Sequence, residues 1–459
     1  MKEFSNAKKR IYAILDDNSF VEMGALVKAR ATGFNLTPEE APSDGVVCGY
    51  GLVDGRLVYV YSQDAEVLGG TVGEMHAKKI IDLYRMAIRT GAPVIGLLDS
   101  QGIRLQEGTD ALDAFSGIYS QMAKASGLVP QITAVFGSCG GGLSVIPSLS
   151  DFSYIAEDAR LFVNLPLTRK GSMDGDHFAD AATQAKNGVV DAALPEVEIL
   201  ARIRDLVSFL PQNNEAEAFR NCEDDLNREC LQAAEQAADL RAVLTDIADD
   251  NCFFEVKEGY AGSMLTGFIR LNGASVGVFG NAEGELSADG MEKAASFVTF
   301  CDAFSIPVIS FTNANGFKAD EAEEKTAAKA AAKLIAALAG ADTVKVNVIL
   351  GEAIGSAYSI MNPKALGSDL VIALQEAHVG IMDADAASKI LADGKDVDEI
   401  EKTKEAFEKM QNGIESIASR GSIDQIAEAK DLRKFLVGAL EVLYSKRILR
   451  YPKKHGSGR

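Results

Sequence analysis

Two kinds of apolar spacing alternate along this chain, and the whole succession occurs twice. Apolar and aromatic runs at 46–50 and 57–61 flank Asp54-Gly55, and similar runs at 265–271 and 275–279 flank Asn272-Gly273. Each dipeptide tolerates the left-handed backbone of a tight turn, so each pair of runs predicts a β-hairpin. Helical spacing follows both hairpins, over 74–90 and 290–304, and leads into strands ending at Asp99 and Phe311. An alanine-rich helix over about 321–339 then leads to a strand at 345–350. No charge occurs from 125 to 150, the length of a membrane span, but Pro130, Pro147 and a glycine run suit a lipid-facing helix poorly. That stretch predicts a buried strand, a turn and a helix.

The succession repeats at a constant offset. Pro93 falls on Pro307, Gly102 on Gly316 and Gly137 on Gly351, each 214 residues apart. Asp17-Asn-Ser-Phe-Val-Glu22 and Asp250-Asn-Cys-Phe-Phe-Glu255 open the two halves at a slightly different offset, as insertions between modules produce. A chain of 459 residues exceeds one ordinary core. The polar stretch after Pro211 makes a linker, and the expected domains are 1–225 and 226–459. Strand–helix–strand order in each half implies right-handed crossovers and a parallel sheet. The expected class is α/β, as two tandem crotonase-like (ClpP/crotonase spiral) domains.

Charge and cysteine usage narrow the function. A net charge of −20 leaves nothing to release phosphate counterions, which argues against nucleic-acid binding. Basic candidates for an anionic ligand are Lys78, Lys79, Arg85 and Arg89 on one helix, Arg104, and the tail residues Lys446, Arg447, Arg450, Lys453 and Lys454. Six cysteines without CxxC spacing fit reduced thiols and no zinc site. The start, Met-Lys-Glu-Phe-Ser, has no signal-peptide core, and a cytoplasmic location is expected, with membrane association only through a partner.

The chemistry is expected in the glycine turns. A glycine run between a buried strand and a helix points backbone N–H groups at one spot beside the positive end of a helix dipole, which suits an oxyanion. In the first half the donors are Gly102 or Ile103 and Gly141 or Gly142; in the second they are Gly316 or Phe317 and Ser356 or Ala357. Each donor is worth roughly 3 kcal/mol of transition-state stabilisation. No Ser/His/Asp nucleophile elbow, metal-ligand cluster or GxxxxGK[ST] loop appears, so backbone donors and a self-activated substrate fit better than side-chain acid/base catalysis.

Several motifs carry a family resemblance. Asp44-Gly-Val-Val-Cys-Gly-Tyr-Gly51, Tyr61-Ser-Gln-Asp64, Leu68-Gly-Gly70, Glu74-Met-His-Ala-Lys-Lys, Gly91-Ala-Pro-Val-Ile-Gly, Asp99-Ser-Gln-Gly-Ile-Arg-Leu-Gln-Glu-Gly108, Pro147-Ser-Leu-Ser-Asp-Phe152, Phe300-Cys-Asp-Ala-Phe-Ser-Ile-Pro307 and Tyr451-Pro-Lys-Lys-His-Gly456 resemble the carboxyltransferase subunits of biotin-dependent acyl-CoA carboxylases and decarboxylases. The resemblance implies carboxyl transfer between biotin N1′ and the α-carbon of a short-chain acyl-CoA thioester. It assigns the thioester oxygen to the first half and the ureido oxygen to the second. It also implies no metal, a homo-oligomer from dimer to hexamer, a separate biotin carrier protein, and a biotin carboxylase or membrane decarboxylase pump subunit as partner. No lysine here has the Ala-Met-Lys-Met context of a biotinylated domain. The acyl group stays open among acetyl, propionyl or methylmalonyl, and glutaconyl.

The sequence departs from that pattern mainly in its second half. The loop after Pro166 is shorter, and Asp191 stands where a histidine is usual. A Pro-Gly-Phe-Leu-Pro-Gly segment has become Asn315-Gly-Phe-Lys-Ala-Asp320; Gly-Ile-Ile-Arg-His-Gly-Ala-Lys has become Thr326-Ala-Ala-Lys-Ala-Ala-Ala-Lys333; Arg-Lys-Ala-Tyr-Gly-Gly-Ala-Tyr has become Gly351-Glu-Ala-Ile-Gly-Ser-Ala-Tyr358. Among side chains, Cys139 and His76 are expected to be packing residues, while Lys78 and Arg104 are candidates for CoA phosphates. The resemblance directs Tyr358 and Ser359 toward the acyl and biotin pocket. Two further readings stay open, a biotin-independent crotonase-type acyl-CoA decarboxylase and a noncatalytic acyl-CoA-binding scaffold.

Overall fold

Both hairpin signals close as the turn residues require. In the computed structural model φ is +50° at Asp54 and +76° at Gly55, and +51° and +79° at Asn272 and Gly273. Such two-residue turns match the right-handed twist of the flanking strands, which therefore pair in full register, Val53 opposite Arg56 and Leu271 opposite Ala274. The structure describes residues 4–33, 41–164, 177–235, 239–382, 384–408 and 414–448. The chain forms two compact units, Met1–Ala218 and Phe219–Arg459. Residues 219 and 220 already pair with the second hairpin, at Ala274 and Gly273, so they belong to the second unit.

The first unit runs α1 (Asn6–Ile14), β1 (Val21–Met23), β2 (Val46–Val53), β3 (Arg56–Gln63), α2 (Glu74–Thr90), β4 (Val94–Leu98), α3 (Thr109–Ala125), β5 (Gln131–Val135), β6 (Ser138–Gly140), α4 (Val145–Leu149), β7 (Phe152–Ala156), β8 (Arg160–Phe162), α5 (Ala181–Lys186), β9 (Ala192–Leu194) and α6 (Glu196–Phe209). Its main sheet has the order β1-β2-β3-β4-β5-β7-β9, antiparallel through the hairpin and parallel from β3 onward. β6 and β8 form a separate parallel pair. The charge-free stretch 125–150 is thus the end of α3, then β5, β6 and α4, with β5 wholly buried. No helix among the described residues is long and apolar enough to cross a membrane.

The second unit repeats this plan: α7 (Leu231–Glu235), α8 (Leu240–Ile247), β10 (Phe254–Glu255), β11 (Met264–Leu271), β12 (Ala274–Asn281), β13 (Glu285–Leu286), α9 (Ala288–Ala303), β14 (Val308–Ala314), β15 (Gly316–Phe317), α10 (Glu321–Glu324), α11 (Ala327–Gly340), β16 (Lys345–Ile354), α12 (Gly355–Ile360), β17 (Leu370–Leu374), β18 (His378–Gly380), α13 (Ala384–Leu391), α14 (Val397–Phe407), α15 (Ile414–Ala418), β19 (Gln425–Ala427) and α16 (Leu432–Leu443). Its sheet order is β10-β11-β12-β14-β16-β17-β19, with β18 beside the far end of β16. Two expectations shift. The alanine-rich helix is divided at Lys325 and Thr326, where Thr326 leaves helical geometry at φ −129°. β16 extends past Leu350 to Ile354, because its far end pairs with β18.

The repeat reaches individual hydrogen bonds. Asp16 caps the first hairpin turn by accepting the N–H groups of Asp54 and Gly55 at 3.0 and 2.8 Å, and Asp249 accepts those of Asn272 and Gly273 at 3.2 and 2.7 Å. An arginine from a late helix steadies each cap, Arg204 on Asp16 at 3.0 Å and Arg433 on Asp249 at 2.6 Å. Asp151 and Asp369 accept the N–H at the start of the second parallel strand, Gln131 and Lys345, at 2.8 Å in both units. Asp191 and Asp424 serve the third, accepting from Ser153 and Val371. Strand starts leave backbone donors that burial would penalise, and an aspartate at each satisfies them. Between these caps lie continuous apolar cores; in the second unit Val278, Ile309, Phe311, Val346 and Val348 of the sheet pack with Leu244 of α8 and Leu432 and Leu436 of α16.

Candidate functional site

The first glycine turn begins where β4 ends. Asp99 donates its N–H to Gln63 Oε1 at 3.1 Å, and its carboxylate accepts from Arg10 Nη1 at 2.7 Å. The turn is laced to its neighbours: Gln101 N–H donates to Gly69 O at 2.9 Å, Gly102 N–H to Ser100 Oγ at 3.1 Å, Val72 N–H to Gly102 O at 2.8 Å, and Arg104 N–H to Val72 O at 3.0 Å. The N–H of Ile103, between these engaged groups, has no acceptor among the described residues. Of the pair Gly102 or Ile103, the structure therefore leaves Ile103 as the available donor. The Gly102 donor is taken by the Ser100 hydroxyl.

The second candidate donor lies in the facing turn. Gly141 turns the chain with φ +61° into a short 3₁₀ segment, and Gly142 follows as its second residue. Its N–H belongs to the first turn of that segment, where backbone donors lack helical partners. Its C=O accepts from Tyr119 OH. A Cβ built on Gly102 would lie 3.6 Å from Gly140 O, so the two turns face each other across little more than van der Waals distance. Gly137 has to be glycine for a plain reason: a Cβ there would meet Asp99 Oδ1 at 2.4 Å.

The second unit reproduces the arrangement with different side chains. Asn313 stands for Asp99, donating its N–H to Asn281 Oδ1 at 2.9 Å, and a Cβ on Gly351 would meet its Oδ1 at 2.6 Å. Lys318 N–H donates to Leu286 O at 2.9 Å, as Arg104 does to Val72. Alternation along the parallel β13–β15 ladder turns the Phe317 N–H away from that partner strand, as at Ile103. Gly355 has φ +60° and starts α12, which packs against β15 and carries Ser356 exposed and Ala357 buried among its first donors.

Several sequence candidates turn out to hold the fold. Arg104, expected at CoA phosphates, is fully buried, with its guanidinium engaged by Asp44, by Glu107 Oε1 at 3.0 Å, and by Thr71 O at 2.6 Å. It anchors the turn from behind and presents no donor to a solvent-borne phosphate. Glu107 in turn accepts the N–H of Glu74 at 2.6 Å, capping α2; Glu323 does the same for Ala288 at the start of α9. Lys79 is buried, donating to the carbonyls of Ser43 and Val46, and its counterpart Lys293 donates to those of Lys257 and Tyr260. Lys78 is exposed on the same helix and stays a ligand candidate. Arg450, Lys453, Lys454, the 451–456 motif and the loop after Pro166 lie outside the described residues.

His76 is a packing residue with a defined protonation state. Gln63 Nε2 lies 3.1 Å from His76 Nε2, and His76 Nδ1 lies 2.8 Å from Asp44 O. The amide donates to Nε2, so Nδ1 carries the proton and donates to the carbonyl. Burial, aided by the nearby Arg104 charge, pushes its pKa down to about 3. Burial also drives the Cys139 thiol well above its ordinary pKa, consistent with a small packing residue. Tyr358 is half-buried against the Ile349–Val379 core, while Ser359 is exposed. Among the described residues no group of three or more His, Cys, Asp or Glu could hold a metal ion. Sequence reasoning missed Arg10, Gln63 and Asp99 as supports of the first turn; the 214-residue pairing of Asp99 with Asn313 was the available signal.

Known proteins share this architecture throughout. The carboxyl transferase domain matches residues 5–457. The alpha subunit of methylmalonyl-CoA decarboxylase from Veillonella parvula is 36% identical over 471 residues, covering 98% of this chain and 92% of the relative. The beta chain of propionyl-CoA carboxylase from Roseobacter denitrificans is 37% identical over 473 residues with the same coverage. A hexameric transcarboxylase 12S crystal structure with methylmalonyl-CoA bound superposes with a TM-score of 0.93 at 32% identity, over 98% of this chain and 92% of that one. Matched over residues 5–457 by the family model and over 98% of its length by these relatives, this chain of two repeated α/β units is a member of the carboxyl transferase family.

Proposed function

We propose that the chain is the carboxyltransferase component of a biotin-dependent acyl-CoA carboxylase or decarboxylase, with one turn pair for each substrate. One observation supports this reading: Ile103 and Gly142 in the first unit, and Phe317 and Ser356 in the second, hold equivalent places in a turn and a helix start. In the first unit the donors hold the thioester oxygen. Breaking the bond between the α-carbon and the carboxyl group leaves its electron pair on the acyl group as an enolate, and two N–H groups aimed at that oxygen stabilise the charge as it develops. Biotin, borne by a carrier protein, accepts the carboxyl group at N1′ and releases the proton that the α-carbon takes up. In the second unit the exposed Ser356 and the half-buried Phe317 leave the matching donors open to a ureido oxygen.

Methylmalonyl-CoA is the first substrate to test, since it or its propionyl product figures in the names of the relatives and the matched structure. The decisive assay follows CO₂ and carboxylated biotin from methylmalonyl-CoA and the purified chain, with and without free biotin. Biotin-dependent transfer is expected. Decarboxylation indifferent to biotin would instead support the crotonase-type reading, which draws on Gly351-Glu352 standing in place of an arginine–lysine pair. Binding of methylmalonyl-CoA without turnover, even with biotinylated carrier supplied, would favour the scaffold reading.

A further inference from the structure

The two turns differ most in the fate of one cation. Arg104 and Lys318 occupy the same place in the repeat, 214 residues apart, and donate their backbone N–H groups to the equivalent carbonyls of Val72 and Leu286. Arg104 is sealed in by Asp44, Glu107 and Thr71. At the offset of Asp44 the second unit has Glu258, which is exposed, so the buried partner is gone. The Lys318 side chain is 53% exposed; its nearest carboxylate oxygens are on Asp320 at 3.7 Å and Glu323 at 3.9 Å. Both distances exceed a normal N–H···O hydrogen bond. Glu323 is also committed to the Ala288 N–H through its other oxygen. The ammonium is therefore loosely held at the rim of the second turn, adjacent in sequence to the donor residue Phe317.

The surroundings make a cation valuable there. Asp320, Glu321, Glu323 and Glu324 follow the turn, and Glu352, 3.9 Å from His378, precedes α12. A ureido ring is neutral until it receives a carboxyl group and then carries a negative charge that these carboxylates repel. We propose that Lys318 is the anion contact of the second turn, holding the carboxylate that biotin accepts. This rests on the carboxyltransferase reading. It also accounts for a lysine where the resembling Pro-Gly-Phe-Leu-Pro-Gly segment has leucine, in a unit where Gly351-Glu352 stands in place of the arginine–lysine pair.

The test compares wild type with Lys318→Met and Lys318→Arg in the full chain, using methylmalonyl-CoA and biotinyl-lysine. Lys318→Met is expected to lower kcat/KM for biotinyl-lysine about fivefold, the size of a half-exposed charge pair, and to leave the KM for methylmalonyl-CoA unchanged. Lys318→Arg should retain most of the wild-type value. Added salt should depress the wild-type kcat/KM for biotinyl-lysine and leave that of Lys318→Met nearly flat. A readout independent of rate is acetylation of the Lys318 amine, followed by peptide mass spectrometry. It should slow when methylmalonyl-CoA and biotinyl-lysine are present together, and not with methylmalonyl-CoA alone. If wild type transfers carboxyl groups to biotin while Lys318→Met matches it and labelling ignores biotinyl-lysine, the Lys318 assignment falls by itself. A wild-type chain without biotin-dependent transfer overturns the carboxyltransferase reading and the role of Lys318 with it.

Discussion

At the scale of single residues, the proposed function rests on N–H groups that the fold leaves unpaired. Gly142→Pro deletes one such donor, and a loss of about 10²–10³-fold in kcat is expected; unchanged turnover would remove Gly142 from the site. Arg104→Met should behave differently. It strips Asp44 and Glu107 of a buried partner, so the expected outcome is about 3–5 kcal/mol of lost stability in urea unfolding, with no selective rise in the dissociation constant for CoA. His76 supplies a pH signature. Its folded pKa of about 3 lies below the ordinary 6.5, so the unfolded chain binds the proton first and stability falls as pH drops through that window. The slope is about 1.4 kcal/mol per pH unit between those values. The gap in stability between wild type and His76→Gln should therefore shrink as pH falls from 7 toward 4, and a gap independent of pH would refute the neutral buried imidazole. The sequence named the two glycine turns, because glycine at a strand–helix junction has few other uses. It could not choose between Gly102 and Ile103, since that choice depends on a hydroxyl two residues away in the folded turn.

At the scale of elements, stability is organised around aspartates that cap turns and strand starts. Asp249 is buried and joins three elements: the hairpin turn at Asn272 and Gly273, its own loop after α8, and Arg433 on α16. Asp249→Ala leaves the Arg433 guanidinium buried with Asp224 as its remaining carboxylate partner, 3.4 Å away, and about 3–5 kcal/mol of destabilisation is expected in urea unfolding. Adding Arg433→Met should restore part of that loss, because the uncompensated charge leaves with it; strict additivity would show that the pair is not coupled. Hairpins and helices were legible from apolar spacing and from Asp-Gly and Asn-Gly. The break at Lys325 and Thr326 was not, because an alanine-rich run continues a helix on propensity alone and only the surrounding structure interrupts it.

At the scale of the molecule, the exposed apolar residues need explaining in a chain with a net charge of −20. Leu105 and Leu112 stand exposed beside the first turn, and Ile381, Ile390 and Leu391 follow the second. Exposed apolar side chains mark a surface that another molecule covers where they form a contiguous patch, and the matched transcarboxylase is a hexamer. The chain is expected to assemble with itself, and light scattering should give a mass that is a multiple of 48.8 kDa. A monomer at every concentration would refute that expectation.

The sequence by itself determined the duplication, the α/β class, the position of the glycine turns and the family, because offsets, spacing and glycine placement are local or periodic and survive without coordinates. Only the tertiary structure decided which donors are free, that Arg104 and Lys79 are buried anchors, and that Lys318 faces outward where its counterpart does not. These outcomes depend on partners 30 to 200 residues away: Asp44 for Arg104, Ser43 for Lys79, Arg433 for Asp249. A charged residue reads the same in a sequence whether its carboxylate waits inside the fold or is missing, and burial with or without that partner is what separates an anchor from a ligand contact.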